Sequence, residues 1–164
     1  MIEQTRERLV RWEDPQASLA IVAGLSGLDA MRLMVEGKVP PPPIAQLMNI
    51  RLVEVEEGRV VFDGEPGEEH YNPIGIVHGG FALTILDSAL GCAIHTSLPA
   101  GTRYATTDVQ VRLVRALTKD TGRVRCEARV QHVGRSIGIS EGTLVDGKGK
   151  LLATGTTACA IMRA

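Results

Sequence analysis

A long apolar segment between Gly79 and His95 constrains the fold of this chain most strongly. Written as a helix, the segment places apolar side chains in nearly every direction around its axis, from Phe81 to Ile94. A helix that is apolar all round is usually buried rather than laid on a surface. We therefore expect a central buried helix with other elements wrapped around it.

Short strand-like segments lie on both sides of this helix. The segment from Val124 to Gln131 alternates strictly between apolar and polar residues, which is typical of an antiparallel sheet covered on one face. Because there are too few crossover helices for a parallel sheet, the order predicts an α+β fold in which an antiparallel sheet wraps around a long helix. The predicted strands are residues 51–55, 59–63, 108–113, 124–131, 137–145 and 151–162, with a hairpin turn at 146–149 before the last.

The first 38 residues are predicted to be helical, and four consecutive prolines follow them. Pro40 to Pro43 lack backbone donors, so they predict a stiff extended connector before a short helical turn at 44–48. We divide the chain into an N-terminal helical extension with its connector (1–43) and a main domain (44–164). The extension could cover a pocket, cover a sheet edge or join subunits, and the packing roles are favoured. The predicted helices span residues 6–12, 16–23 and 28–36.

Composition excludes several classes of protein. A net charge of −1 and an aromatic content of 3% argue against a nucleic-acid partner. No apolar stretch reaches the roughly 18 residues needed to cross a bilayer, and the charged N-terminus is not a signal peptide, so we expect a cytoplasmic protein without a membrane partner. The cysteines, Cys92, Cys126 and Cys159, lack metal-ligand or redox spacing, so we expect buried free thiols and no metal site.

Asp87 is anomalous because it lies in the middle of the apolar helix. Its neighbours three and four positions away include no Lys or Arg that could pair with it. Since a buried, unpaired carboxylate is costly, such groups often have shifted pKa values or a function. The alternative is that Asp87 hydrogen-bonds a neighbouring strand in the core.

The start of the helix supports a functional interpretation. Gly79 and Gly80 follow His78 where backbone N–H groups lack intrahelical acceptors, which suits a developing oxyanion. Glycine also allows a ligand carbonyl to approach the backbone closely. Upstream, Asn72 supplies an amide that could hold water or a carboxylate. These residues and Asp87 form a coherent candidate site, although a tight turn preceding a helix is the alternative explanation of the glycines.

The string Asn72-Pro73-x-Gly75-x-x-His78-Gly79-Gly80, with Asp87 nine residues after the histidine, resembles hotdog-fold acyl-CoA thioesterases of the phenylacetate-pathway (PaaI-like) type. The resemblance extends from about Arg51 to Met162. It implies a hotdog fold, with an antiparallel sheet around the central helix, and hydrolysis of an acyl-CoA thioester. Residues 1–38 lie outside this resemblance.

The resemblance also implies catalytic roles. Gly79 would donate its N–H to the thioester carbonyl, and Asp87 of the opposite subunit would act as general base or nucleophile. Asn72 would orient the thioester or the water, and Thr106 would help to place the water. His78 is expected to shape the start of the helix by hydrogen bonding rather than to act as a base.

Further residues are implied to bind the substrate. His78 and Gly80 would lie beside it at the helix start, and the nucleotide end of coenzyme A would meet Arg115 and the turn Gly134-Arg135-Ser136. Surface arginines without a role are the alternative. No cofactor is expected, since coenzyme A enters as part of the substrate. Because family sites form between subunits, a homodimer is the minimum and a homotetramer is expected.

Two other functions stay open from the sequence. A hotdog hydratase or dehydratase would act on enoyl or hydroxyacyl thioesters with a catalytic His and an acidic residue, but the place of His78 before Gly-Gly favours a thioesterase. A non-catalytic acyl-CoA-binding module usually carries a DNA-binding segment, and residues 1–38 show no basic recognition helix. The acyl group and the tetramer arrangement are not defined by the sequence.

Overall fold

Six strands form one antiparallel sheet in the computed structural model, which describes residues 5–163. The order across the sheet is β1-β2-β4-β5-β6-β3, so that β1 and β3 are its edges. All six predicted strand segments are confirmed, as is the α+β hotdog fold. The strands are β1 (Ile50–Glu56), β2 (Arg59–Gly64), β3 (Arg103–Leu113), β4 (Val124–Val133), β5 (Ile137–Asp146) and β6 (Leu151–Met162).

Four helices accompany the sheet: α1 (Pro15–Val22), α2 (Gly27–Val35), α3 (Pro43–Met48) and α4 (Gly79–Thr96). The 18-residue α4 is the predicted central helix, and it packs against every strand of the sheet. Its inward side chains are almost completely buried and form the centre of the core, and each such side chain contributes about 1.5–3 kcal/mol on burial. These residues are Phe81, Ile85, Leu86, Leu90 and Ile94.

The other side of α4 is not covered by any other part of residues 5–163. Leu83 and Asp87 are exposed, and Thr84 and Ser88 are half-buried between them. The expectation that α4 is buried all round is therefore wrong for the single chain. The physical reason is that the sheet curves around one side of the helix only, while an apolar residue such as Leu83 has the same hydropathy whether or not a partner covers it.

The edge strand β3 departs from the expected alternation in a related way. Val109 and Val111 are half-buried as the pattern predicts, but Leu113 is 55% exposed. Val114, just beyond the strand, is 48% exposed. An exposed row of apolar residues beside unpaired strand hydrogen-bonding groups is a surface suited to pairing with another chain.

The N-terminal region contains two of the three predicted helices. Residues 5–14 are not helical, so the prediction of a helix at 6–12 is wrong. That segment carries charges of both signs around an exposed Leu9 and Trp12, and no packed apolar stripe stabilises a helix there. Helix α1 begins only at Pro15, where the Asp14 carboxylate accepts a hydrogen bond from Gln16 N–H at 2.9 Å.

Helix α2 packs tightly against the end of α4. Gly27 N–H donates to the Leu98 carbonyl at 3.0 Å, and a Cβ at Gly27 would lie 1.8 Å from the His95 carbonyl oxygen. Only glycine allows this approach, because a backbone oxygen cannot move aside as a side chain can. Gly37, with φ +71°, follows the end of α2 as predicted.

The proline connector is shorter than predicted, because Pro43 is the first residue of α3. Proline is tolerated at that position since the missing N–H would have no acceptor in any case. None of the helices in residues 5–163 combines the length and the apolar character that a membrane span requires.

Candidate functional site

The start of α4 presents one unused backbone donor. His78 is the N-cap, and its Nδ1 accepts a hydrogen bond from Gly80 N–H at 2.8 Å. Gly79 N–H has no acceptor among residues 5–163, and it lies at the end of the helix where the partial positive charge is concentrated. Of the two glycines that the sequence singled out, Gly79 therefore has the N–H available for a carbonyl or an oxyanion, while Gly80 is occupied by the cap.

The cap bond also defines the state of His78. Because Nδ1 accepts a hydrogen bond from an amide, the neutral ring carries its proton on Nε2. The side chain thus shapes the start of the helix, as the sequence predicts.

Gly79 is a glycine for a packing reason as well. A Cβ at this position would lie 2.7 Å from Cδ1 of Leu113, the last residue of β3. At the other end of the same strand, a Cβ at Gly91 would lie 2.9 Å from Tyr104. Helix α4 therefore runs antiparallel to β3 at close range, which brings the middle of the helix next to the middle of the edge strand.

Asn72 holds the loop before the helix. Its Oδ1 accepts hydrogen bonds from Ile74 N–H at 3.1 Å and from Ile76 N–H at 3.3 Å. The carbonyl oxygen of the amide is thereby used within the loop, and the Nδ2 group is free to donate to a bound carbonyl or carboxylate. Asn72, His78, Gly79 and Arg115 together line a small pocket of about 270 Å³, called here the Gly79 pocket.

Asp87 lies eight residues further along α4 and accepts a hydrogen bond at 3.2 Å from the Thr106 hydroxyl. The sequence predicted a buried carboxylate, and this is wrong for the single chain, because Asp87 is on the uncovered stripe of the helix. The alternative interpretation was that Asp87 hydrogen-bonds a neighbouring strand in the core. Asp87 does bond a neighbouring strand, β3, but the bond lies at the surface rather than in the core. A β-bulge between Thr106 and Asp108 breaks the regular pairing of β3 with β6 at this point.

Gly79 and Asp87 are too far apart in one chain to act on one bond. Eight residues of α-helix correspond to about 12 Å along the axis, whereas a base or nucleophile must come within about 3 Å of its target. The structure accordingly places Asn72, His78, Gly79 and Arg115 in one group and Asp87 with Thr106 in another.

A larger cavity begins at Asp87 and is called here the Asp87 cavity. It has a volume of about 690 Å³ and is also lined by Ser88, Cys92, Tyr104 and Thr106. Burial raises the pKa of Cys92 to about 12, and it also raises the pKa of Tyr104. Both groups are therefore neutral near pH 7.

No sequence pattern predicts this cavity, since its walls come from segments far apart along the chain. The prediction of buried free thiols, by contrast, is confirmed for two of the three cysteines. All are free thiols, with Cys126 and Cys159 buried and Cys92 half-buried.

Arg115 lies at the end of the sheet near the Gly79 pocket, where its Nη1 donates to the Leu151 carbonyl. Arg115 also lines an adjoining depression together with Lys148 and Lys150, on the turn between β5 and β6. Sequence reasoning missed these two lysines, although Lys148 lies in the predicted hairpin turn at 146–149 and Lys150 directly follows it. Asp120 and Asp146 line the same depression, so its three cations share it with two carboxylates, and a phosphate-bearing ligand would use the remaining positive charge.

The turn Gly134-Arg135-Ser136 lies elsewhere. The Ser136 carbonyl accepts a hydrogen bond from Ile161 N–H at 3.0 Å, near the end of β6, whereas Arg115 bonds Leu151 at its beginning. Ten residues of strand separate these points by roughly 34 Å. The single chain therefore does not bring this turn together with Arg115.

Known proteins are similar to this chain in the region that contains Gly79, Asp87 and Thr106. The sequence profile of the Thioesterase superfamily matches residues 74–153. A protein of Halobacterium salinarum, provisionally named as an esterase, is 35% identical over 82 residues, which are 49% of this chain and 48% of that protein. The chain thus matches about half the length of this curated relative.

Two further comparisons cover more of the chain. The 1,4-dihydroxy-2-naphthoyl-CoA hydrolase of Listeria monocytogenes is 25% identical over 109 residues, which are 66% of this chain and 87% of that enzyme. The crystal structure of a phenylacetic acid degradation-related protein from Ralstonia eutropha superposes with a TM-score of 0.72 at 26% identity, covering 79% of this chain and 98% of that protein.

Proposed function

Because this chain belongs to the thioesterase superfamily of hotdog-fold proteins, with relatives of the phenylacetate-pathway type, we propose that it hydrolyses the thioester of an acyl-CoA. The observation that carries the proposal is the pairing of two features on one helix. Gly79 offers an unused N–H at the helix start, and Asp87 offers a carboxylate oriented by Thr106 on the uncovered side. These are an oxyanion donor and a base or nucleophile, the two groups that hydrolysis of a thioester needs.

The two groups act together if a second copy of the chain contributes one of them. Gly79 of one subunit would polarise the thioester carbonyl, and Asp87 of the other would face the same carbonyl carbon. The edge strand β3, with exposed Leu113 and Val114, is the surface we assign to pairing between the copies. A symmetric dimer would contain two such centres, and further pairing of dimers would give the expected homotetramer.

The reaction then needs few groups. With Asp87 as general base, water attacks the carbonyl carbon while the Asp87 carboxylate takes a proton from it, and the charge on oxygen is stabilised by Gly79 N–H. The tetrahedral intermediate collapses, the C–S bond breaks, and the coenzyme A thiolate leaves and takes up the proton. The products are a carboxylic acid and free coenzyme A. With Asp87 as nucleophile, its carboxylate attacks the carbonyl carbon, the C–S bond breaks and the coenzyme A thiolate leaves, and water then cleaves the resulting mixed anhydride to the product acid and the free Asp87 carboxylate.

Neighbouring side chains support these steps. The free Nδ2 of Asn72 can donate to the thioester carbonyl or to the partner carboxylate, since its Oδ1 is held by the loop. Thr106 fixes one carboxylate oxygen of Asp87, leaving the other for water or the carbonyl carbon. Arg115, together with Lys148 and Lys150, would bind phosphate oxygens of coenzyme A beside the Gly79 pocket. The contact between the turn Gly134-Arg135-Ser136 and coenzyme A stays a prediction. A cytoplasmic location and the absence of a cofactor are also predictions.

The hydrogen bond of His78 weighs against a hydratase. A hydratase would need the imidazole to take up a proton as well as to give one, and Nδ1, the unprotonated nitrogen of the neutral ring, is committed to Gly80 N–H, which leaves only the Nε2 proton for a substrate. Rotation of the ring towards a substrate would leave the first turn of α4 without its cap.

The test is release of free thiol from a broad panel of acyl-CoAs, with absorbance of enoyl-CoA followed in parallel. We expect hydrolysis of at least one thioester, and a kcat for Asp87→Asn lower by about 10²–10⁴-fold. Glu57→Gln, which removes an exposed carboxylate from the β1–β2 turn, serves as the matched control and should retain activity. Thiol release at background level, unchanged by Asp87→Asn, contradicts the proposal, and binding of acyl-CoA without turnover would identify a binding module instead.

A single turnover in ¹⁸O-labelled water separates the two roles of Asp87. Label enters the product acid directly if Asp87 is a base. If Asp87 is a nucleophile and water cleaves the anhydride at the Asp87 carbonyl, label enters the Asp87 carboxylate, and mass spectrometry of the peptide detects it; cleavage at the acyl carbonyl labels the product acid, and trapping of the anhydride with hydroxylamine identifies that case.

A further inference from the structure

The Asp87 cavity has walls that belong to the N-terminal extension of this chain. Helix α2 contributes Met31, Met34 and Val35, and the connector after it contributes Val39 and the prolines Pro40 to Pro42. These residues lie outside the region that matches the thioesterase superfamily, which begins at residue 74. The opposite wall comes from β1 and β2, through Leu52 and Phe62.

The buried lining of the cavity is apolar. Met31, Val39, Ile50 and Phe62 are each at most 7% exposed, and Tyr104 and Cys92 are neutral near pH 7. The charged residues that line it are Glu13, Arg51 and Asp87, and all three are exposed to solvent. A charged or strongly polar group placed deep in the cavity would lose its hydration without a partner, so the interior favours hydrocarbon.

The cavity is continuous with the proposed chemistry. Asp87 and Thr106 form part of its wall, so a thioester carbonyl held against Asp87 stands at its opening. The coenzyme A portion would extend away towards the Gly79 pocket of the other subunit, which leaves the acyl portion to enter the cavity. A volume of about 690 Å³ is in the range of sites for whole small molecules and greatly exceeds what an acetyl group fills.

Resting on the proposed thioesterase activity, we propose that α2 and the proline connector form an acyl-binding pocket that selects long, uncharged, apolar acyl groups. The prolines suit this role because their fixed φ angles keep the wall in place without the entropy cost of ordering a loop. Met34 is the residue best placed to set the depth, since it is half-buried on α2 and has an adaptable side chain that lines the cavity.

The test compares kcat/KM for acetyl-, hexanoyl-, decanoyl- and tetradecanoyl-CoA, with glutaryl-CoA as an acyl group that ends in a charge. In the wild type, kcat/KM should rise about fourfold per added methylene until the cavity is filled, and glutaryl-CoA should be poorer than hexanoyl-CoA by more than tenfold. A profile that is flat from acetyl to tetradecanoyl overturns the proposal without any variant.

Two substitutions at Met34 move the profile in opposite directions. Met34→Trp should lower the decanoyl-to-hexanoyl ratio of kcat/KM at least tenfold, and Met34→Ala should shift the optimum to a longer acyl group. Glu36→Trp places the same indole on the exposed end of the helix, outside the cavity, and should leave the profile unchanged. Circular dichroism confirms that each variant is folded.

The outcomes separate the two proposals. Activity that depends on Asp87 but keeps the same chain-length profile in both Met34 variants overturns the pocket and leaves the thioesterase intact. Failure of every acyl-CoA to release thiol, with Asp87→Asn no different from wild type, overturns the thioesterase and the pocket with it.

Discussion

At the scale of single residues, the hydroxyl of Thr106 is the contact that orients Asp87. The bulge in β3 lets Thr106 and Thr107 use their hydroxyls differently, since Thr106 donates to Asp87 and Thr107 donates to the Ala158 carbonyl. Of these two adjacent threonines, Thr106 therefore contacts the candidate site and Thr107 contacts only the sheet.

We predict that Thr106→Val lowers kcat about tenfold, because the carboxylate loses the hydrogen bond that fixes its orientation. Thr107→Val removes the same group one residue away and should change kcat by less than twofold. Steady-state kinetics with the best acyl-CoA measure both values. Equal losses in the two variants would mean that the bond to Asp87 has no particular role.

The cysteines give a prediction about pH. A thiol with a pKa of about 12, as for Cys92, is thiolate in only about one molecule in 10⁴ at pH 8, and this fraction rises tenfold for each added pH unit. Burial raises the pKa of Cys126 and Cys159 as well. Native protein should therefore resist iodoacetamide at pH 8, while protein unfolded in urea should take up three equivalents by mass spectrometry. Rapid labelling of the native protein would contradict these environments.

The residues of the candidate site show how much of a site a sequence can predict. Asp87 and Gly79 stand out because their residue types are unusual at their positions, whereas Asn72 is identified mainly by the resemblance to a known family. The exposure of Asp87 and the cavity beside it do not follow from the sequence, because they depend on how Met34, Phe62 and Asp87 meet across separate elements.

At the scale of elements, α4 depends on its first turn. His78 caps the helix through Nδ1, Gly79 fits against Leu113, and the Thr84 hydroxyl donates to the Gly80 carbonyl at 2.8 Å. The position of the free N–H of Gly79 is therefore a property of the whole turn rather than of one residue.

We predict that His78→Ala lowers the free energy of unfolding by about 1 kcal/mol, the usual cost of a lost N-cap. His78→Asn should recover most of that loss, because the Asn oxygen can accept the same bond from Gly80. Urea unfolding measures both values. The pH profile of kcat should be the same in His78→Asn as in the wild type, whereas loss of one limb of that profile in the variant would assign proton transfer to the imidazole.

Elements were predicted best where one face meets the core and the other meets solvent. In β4 the alternation from Val124 to Gln131 determines both the strand and its inward face. Residues 6–12 and the uncovered stripe of α4 were predicted less well, because charged and apolar residues occur there without the packing that normally accompanies them. Leu83 is apolar like a core residue and yet exposed, and Leu113 is 55% exposed although it lies against Gly79.

At the scale of the whole molecule, the candidate site is divided along α4. The Gly79 pocket is at the start of the helix and the Asp87 cavity is at its middle, about 12 Å further along the axis. In the proposed mechanism a working centre therefore requires two chains, each supplying one part.

Mixing of inactive variants tests this division. Asn72→Asp keeps the oxygen that holds the loop but loses the Nδ2 donors, and Asp87→Asn loses the base. Neither variant alone should be active, yet after unfolding and refolding together at equal amounts they should regain about one quarter of wild-type activity, because half of the dimers are mixed and each has one intact centre. Size-exclusion chromatography confirms that dimers form. No recovery among dimers would indicate that each centre lies within one chain.

The distance between Gly79 and Asp87 along α4 has a further consequence, for the dependence of activity on dilution. In the proposed dimer a lone folded chain carries every required group and still cannot turn over substrate. Activity per chain should then fall as the protein is diluted below the dissociation constant of the dimer, and it should recover on concentration. The concentration of the protein would thus determine the activity of each chain as well as the total activity.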